Sequence, residues 1–286
     1  MTATTDGAVR APAAALRRYV AGYSGYRQAG LAPGLHRGLP SPYLTVVITL
    51  DEPLTIVAHP DPAQRPGSFT ALLGGLHTTP ALIGHDGNQS GVQLSLHPLG
   101  ARALLGVPAG ALAGQDVALD QLLGLQVELL RERLLAAPTW AARFDLLDAA
   151  LLRRLDPGRG VAPELDHAWS LLRADAGAIG VRQLARQVGW GERHLLHRFR
   201  QEVGLTPKES ARVVRFDRAR RLLVRRVGAG RSPGLAGLAA GLGYYDQAHL
   251  AREFRELAGC APSRYLAEEL RFVQDTLDPQ GEDWPA

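Results

Sequence analysis

A short pattern occurs twice in the last third of this chain, and it constrains the fold more than any other feature. At His194 the sequence reads HLLHRFRQEVGLTP, and at His249 it reads HLAREFRELAGCAP. Both follow His-Leu, three residues, Phe-Arg, three residues, Gly, two residues, Pro, and the copies lie 55 residues apart. A matching lead precedes each: Leu184, Ala185, Val188, Gly189 and Trp190 in the first, Leu238, Ala239, Leu242, Gly243 and Tyr244 in the second. A short helix, a turn carrying Gly and an aromatic residue, and a second helix make a helix-turn-helix layout. Ala185 and Ala239 are small enough for the second helix to cross closely, and Gly189 and Gly243 suit a left-handed turn.

Helical spacing in the second helices places Leu195, Phe199 and Val203, and likewise Leu250, Phe254 and Leu257, on a buried stripe. The opposite faces carry Arg193, Leu196, His197 and Arg200 in the first copy, and Gln247, Ala248, Ala251, Arg252 and Arg255 in the second. A helix in the major groove reads base edges from residues near its N-terminus, with Arg pairing to guanine and Gln to adenine. These positions are therefore the candidate DNA contacts. A helical pair that binds protein would show the same stripes, so charge has to decide between the two readings.

From residue 181 to 265 there are 17 Lys and Arg against 7 Asp and Glu, while the rest of the chain holds 15 against 21. A basic segment for a polyanion is thus joined to an acidic segment with another task. Two aligned helix-turn-helix copies inside the basic segment favour double-stranded DNA as the partner.

At 286 residues and 30.7 kDa the chain can support more than one core. Its longest apolar runs, such as LTVVITL from Leu44, are far shorter than a bilayer span, and the N-terminus lacks a signal-peptide core. The expected location is the cytoplasm, near the nucleoid, with no membrane partner. Cys260 is the single cysteine, which excludes an intramolecular disulfide and a cysteine-cluster zinc site. His36, His59, His77, His85 and His97 lack the tight His-x-His or His-x-x-x-His spacing that converges on one ion, so no metal and no cofactor are expected.

Residues 1 to about 40 are rich in Ala, Gly and Pro and read mostly as loop, with AALRRYVAGY as a short helical candidate. From Tyr43 onward short β-branched runs predict a small antiparallel sheet with a hairpin turn at DGN (residues 86–88). After Pro98 the spacing turns helical. LDQLLGLQVELLRERLLAA and TWAARFDLLDAALLRRL predict a helical hairpin. DPGRGVAP from Asp156 reads as a boundary, dividing an α+β part (1–156) from an all-α part (157–286). The helix-turn-helix motifs occupy about 181–204 and 235–259 with a linker helix over 209–226, and PSRYLAEELRFVQDTL is a closing helix.

The stretch LAAGLGYYDQAHLAREFRELAGCAPSRY, together with RFDRARRLL, resembles the double helix-turn-helix domain of the AraC/XylS transcription regulators. The likeness covers about 163–266. It departs at Tyr244, where that family usually has Phe, at Leu250, where Phe is frequent, and at Gly191, where Ser commonly caps the reading helix. HRGLPSPYLTVVITLDEPL and GVQLSLHPLGARALLGVPAGALAGQDVALDQLLG resemble the N-terminal domain attached to many such regulators, which have a sensing or pairing role.

The resemblance implies a sequence-specific regulator of promoter DNA that is not an enzyme. RNA polymerase, a small-molecule effector and a second copy of the chain, paired through the N-terminal domain, stand as further candidate partners. Two alternatives stay open. An alkyl-transfer DNA-repair regulator needs reactive cysteines in its N-terminal module, and an enzyme tethered to DNA needs a catalytic dyad or metal set.

Overall fold

The computed structural model describes residues 4–269. Within them the N-terminal part is built from β1 (Thr4–Arg10), β2 (Val20–Ala29), β3 (Gly34–Gly38), β4 (Leu44–Thr49), β5 (Leu54–Ala58), β6 (Gly67–Phe69), β7 (Ala71–Gly74), β8 (Ala81–His85), β9 (Gln89–Leu96) and β10 (Asp116–Ala118). All pairings are antiparallel, and they form two sheets with orders β1-β2-β9-β4-β7-β10 and β3-β8-β5-β6.

Two expectations are corrected here. Residues before Ser41 are largely strand, and the helical candidate AALRRYVAGY is a single tight turn, Ala14–Leu16, leading into β2. Its composition suggested loop, but β2 sits between β1 and β9, and pairing on both edges overrides local propensity. Asp86, Gly87 and Asn88 make no hairpin either, because β8 and β9 belong to different sheets. The turn carries the chain from one sheet to the other. Asp86 accepts from the Asn88 amide at 2.9 Å, and the Asn88 side chain accepts from the Gly30 amide at 3.2 Å.

Side chains on successive strand residues alternate between faces, so the larger sheet has two distinct surfaces. One is the main core: the cross-strand row Tyr23, Leu94, Val46 and Leu73 is buried against the helices. Tyr23 stacks on Phe144 at 5.9 Å and donates to Asp148 at 2.8 Å. The other surface faces the smaller sheet, where the buried apolar cluster is no larger than Ile56, Leu72 and Ala81 with Leu54 and Phe69.

The helices are α1 (Ala101–Leu105), α2 (Leu119–Leu123), α3 (Gln126–Ala136), α4 (Trp140–Arg154), α5 (Pro163–Ala174), α6 (Val181–Gln187), α7 (Glu192–Glu202), α8 (Pro207–Gly228), α9 (Leu235–Gly241), α10 (Gln247–Ala258) and α11 (Pro262–Glu269). The first arm of the expected hairpin is split into α2 and α3 by Gly124, whose φ is 70°. The linker helix is longer than the sequence suggested. Thr206 and Glu209 exchange a capping box ahead of it, at 3.1 and 2.8 Å, and Pro207 occupies its first turn. Residues 270–277 of the expected closing helix lie outside the described residues.

One buried apolar cluster contains Leu16, Tyr23 and Val46 of the N-terminal part as well as Phe199, Phe216 and Phe254 of the helical part. Charged contacts add to this continuity. Arg102 on α1 donates to both carboxylate oxygens of Glu202 on α7, at 2.6 and 3.0 Å. Arg37 on β3 reaches Glu268 and Glu269 of α11, both at 2.7 Å. The backbone at Gly110 approaches the end of α7 so closely that a Cβ there would lie 2.3 Å from the Gln201 carbonyl oxygen.

Candidate nucleic-acid interface

Both repeated units fold as the sequence spacing requires. Helices α6 and α7 form one pair and α9 and α10 the other, with Gly189 and Gly243 both at φ 70° in the turns. Ala185 and Ala239 are buried at the crossings, as are the stripes Leu195, Phe199, Val203 and Leu250, Phe254, Leu257. The first pair packs Phe199 against Trp169 of α5 at 6.3 Å, and the second packs Phe254 against Phe216 of α8 at 5.0 Å and Tyr265 of α11 at 5.4 Å.

Their N-termini differ. Asp246 caps α10 by accepting from the His249 amide at 2.7 Å, whereas Gly191 gives α7 no side-chain cap. Replacing Asp246 by Ala is expected to lower stability by ~1 kcal/mol, read as a shift in the urea denaturation midpoint. An unmoved midpoint would contradict the cap's energetic role.

The inner face of α10 is anchored by charge. Glu253 is buried and accepts from Arg212 of α8 at 3.0 Å, with Arg215 at 3.7 Å, while Arg212 also pairs with Glu256. Arg215 lies over the Tyr244 ring at 5.1 Å, so the departure from Phe at this position keeps the aromatic packing.

The outer faces are different in kind. Arg193, His197 and Arg200 on α7, and Gln247, Ala248, Arg252 and Arg255 on α10, are exposed, and Leu196 and Ala251 are half-buried among them. Four neighbouring arginines turned elsewhere are neutralised: Arg182 by Glu192, Arg198 by Glu202, Arg212 by Glu253 and Arg264 by Glu268. Arg193, Arg200, Arg252 and Arg255 have no acidic partner among the described residues. The fold thus leaves positive charge uncompensated on the two faces that the repeat pattern singled out. Tyr245, 92% exposed in the turn before Asp246, stands beside this face and was not marked by the repeat.

A second site was not legible at all. Between the two sheets lies a cavity of about 180 Å³, closed on one side by α8 through Asp217, Arg220, Arg221, Val224 and Arg225. Its larger-sheet wall follows two cross-strand rows, Gly22, Ser95, Thr45, Gly74, Asp116 and Ser24, Gln93, Val47, Leu72. Gly22 and Gly74 leave room where side chains would otherwise fill the space between sheets. Buried His36 also lines the cavity, with its pKa pulled down to about 4 by burial and then by His85 and Arg37, so its ring is neutral near pH 7. Asp217 is buried and accepts from Arg220 at 3.1 Å and from Arg221 at 2.8 Å, and Arg220 reaches the Tyr265 hydroxyl at 3.4 Å.

The alkyl-transfer alternative finds no support at Cys260. That side chain is buried, and burial pushes its thiol up, which disfavours the nucleophilic thiolate.

The family described as a helix-turn-helix domain matches residues 184–268, and a domain of unknown function, DUF6597, matches residues 9–118. Among solved structures the chain is similar to an apo form of ToxT from Vibrio cholerae, with a TM-score of 0.52 and 9% identity over 93% of this chain and 97% of that one. It is similar to unsaturated fatty acid bound ToxT from Vibrio cholerae, with a TM-score of 0.51 and 9% identity over 92% and 94% of the two chains. ToxT bound to (E)-4-(8-methylnaphthalen-1-yl)but-3-enoic acid gives 0.50 and 11% over 92% and 98%. At such identities the likeness concerns the fold. No curated protein matches the sequence.

Proposed function

We propose that this chain, which carries an AraC-type helix-turn-helix DNA-binding domain in its C-terminal part, is a sequence-specific transcription regulator whose two reading helices enter successive major grooves. The unneutralised arginines on the outer faces of α7 and α10 carry this reading. Phosphate contacts position such a protein, while side chains near a helix N-terminus read base edges. Arg193, Leu196, His197 and Arg200 then face one groove, and Gln247, Ala248, Ala251, Arg252 and Arg255 face the next.

Arg252→Ala is expected to relax base preference at one or two positions of one half-site, because an Arg bidentate to guanine contributes ~1 to 3 kcal/mol of discrimination. A binding selection from random duplexes reads this directly. An unchanged preference removes Arg252 from the reading set.

We further propose the division 1–156 and 157–286 as regulatory and DNA-binding parts, with the cavity between the sheets as an effector site. What supports this is its position. The cavity is walled by both sheets and by α8, the helix that joins the two reading units. A ligand there that prefers one placement of α8 shifts the population toward it. ToxT, a protein of similar fold, has structures bound to an unsaturated fatty acid and to a butenoic acid derivative. RNA polymerase and a second copy of the chain, paired through the N-terminal part, are the further partners of this reading. Native mass spectrometry after incubation with a bacterial small-molecule extract tests the effector reading. An adduct is expected on the full chain and not on Ser95→Trp, which fills the cavity, and the absence of any adduct on the unmodified chain overturns it.

A further inference from the structure

Space between two packed sheets is normally filled by apolar side chains from both inner faces. Here one wall is apolar apart from the neutral His36 ring, and the other is largely polar. Leu54, Ile56, Ala81 and Ile83 of the smaller sheet line one side. Ser24, Thr45, Gln93 and Ser95 line the other, on three adjacent strands in register: Ser24 opposite Gln93, and Ser95 opposite Thr45. None of these four side chains makes a hydrogen bond to another described residue, although each is half-buried at the cavity. Their polar atoms are reached by water in the cavity and not by protein partners, and such a set facing one space marks where a ligand with several donors and acceptors belongs.

The α8 side adds a sign. Arg220, Arg221 and Arg225 of α8 all line the cavity, with Asp217 as the acidic group on the same helix. Asp116, at the far end of the Ser95–Thr45 row, is held by His59 at 2.7 Å and makes that end unfavourable for an anion. Size is a third restriction. A cavity of about 150 Å³ accepts a benzene-sized molecule, so 180 Å³ suits a compact ligand and not a long acyl chain.

Resting on the effector reading above, we propose that this cavity binds a compact hydroxylated acid of sugar-acid size, its hydroxyls on the Ser24–Gln93 and Ser95–Thr45 rows and its carboxylate at the α8 arginines. The ligand would bridge the sheet wall and the linker helix, so recognition of its acid group and placement of the reading helices become one event. A fatty acid would set its carboxylate beside the arginines and leave the polar wall desolvated without partners. A neutral sugar would do the reverse.

The test is isothermal titration of the full chain with gluconate, galacturonate, glucose and hexanoate. The expected result is measurable binding of at least one sugar acid, with glucose and hexanoate at least tenfold weaker. Thr45→Val and Gln93→Leu, which keep side-chain volume, should each weaken the sugar acid by about tenfold, as loss of a buried hydrogen bond to a ligand does. The thermal unfolding midpoint of each variant shows whether it is folded. Hexanoate or glucose binding as tightly as the sugar acids overturns the proposal, as does no binding by any member of the panel. The effector reading fails separately: an extract adduct without sugar-acid binding overturns the ligand class alone, and no extract adduct overturns the site.

Discussion

Inserting about 5 base pairs between the two half-sites of the operator is expected to weaken binding of the full chain ~100-fold, the loss of one reading helix's base contacts. Helix α8 has 22 residues, so at ~1.5 Å per residue it spans about 33 Å, close to the ~34 Å between successive major grooves on one face of the duplex. It is also held rigidly. Val213, Phe216, Ala219 and Leu223 are buried along it, Leu222 is half-buried, and both reading units pack on it. The Arg102–Glu202 pair ties the first unit to the N-terminal part, and the Arg37–Glu269 pair ties to it α11, which packs on α10.

Half a turn of added duplex moves the second groove to the far side, and nothing in this frame can follow it. An insertion of about 10 base pairs restores the face but exceeds the reach of α8, so affinity should stay low. Electrophoretic mobility shifts on the three duplexes decide the matter. Equal affinity for the original and half-turn operators would mean that one of the two motifs does not read DNA.

Glu253→Ala is expected to destabilise the chain by roughly 3 kcal/mol, at the lower end of what removal of one partner from a buried ion pair costs. The carboxylate is 4% exposed, and its loss leaves Arg212 and Arg215 facing the α8–α10 contact without it. Both arginines retain some solvent access, and Arg212 keeps Glu256, which is why the upper end is not reached. Glu253→Gln preserves the shape and an acceptor oxygen, so it should cost clearly less. Urea unfolding of the full chain distinguishes the two. Equal midpoints for Glu253→Ala and the unmodified protein would show that the pair contributes no net stability.

The helical part was legible because its information is local. A helix-turn-helix needs small residues at the crossing, glycine in the turn and an apolar stripe at helical spacing, all within about 20 residues of sequence. Ala185, Gly189, Leu195 and Phe199 state this once and Ala239, Gly243, Leu250 and Phe254 state it again. Where the reading stayed coarse, as at the start of α8, the missing piece was the cap formed by Thr206 and Glu209 around Pro207. That signal was present in the chain and easily overlooked.

The sheet part was legible in class and not in extent. Strands β1 to β3 form from segments whose composition suggests loop, because their stability comes from partners: β2 pairs with β9, 61 to 76 residues later in the chain. The cavity was hidden for a related reason. Ser24, Thr45, Gln93 and Ser95 alternate with apolar residues, and that alternation is the same whether the polar face meets solvent or the inside of a closed pair of sheets. Only the position of the second sheet, set by the turn at Asp86–Asn88 that sends β9 into a different sheet from β8, makes that face an interior. The sequence by itself determined the repeat, its buried stripes and the side on which the charge lies, since these follow from contacts between near neighbours. Which arginines remain unneutralised on that side, and which polar groups face one another across a cavity, depends on pairings between distant segments, and those exist only in the folded chain.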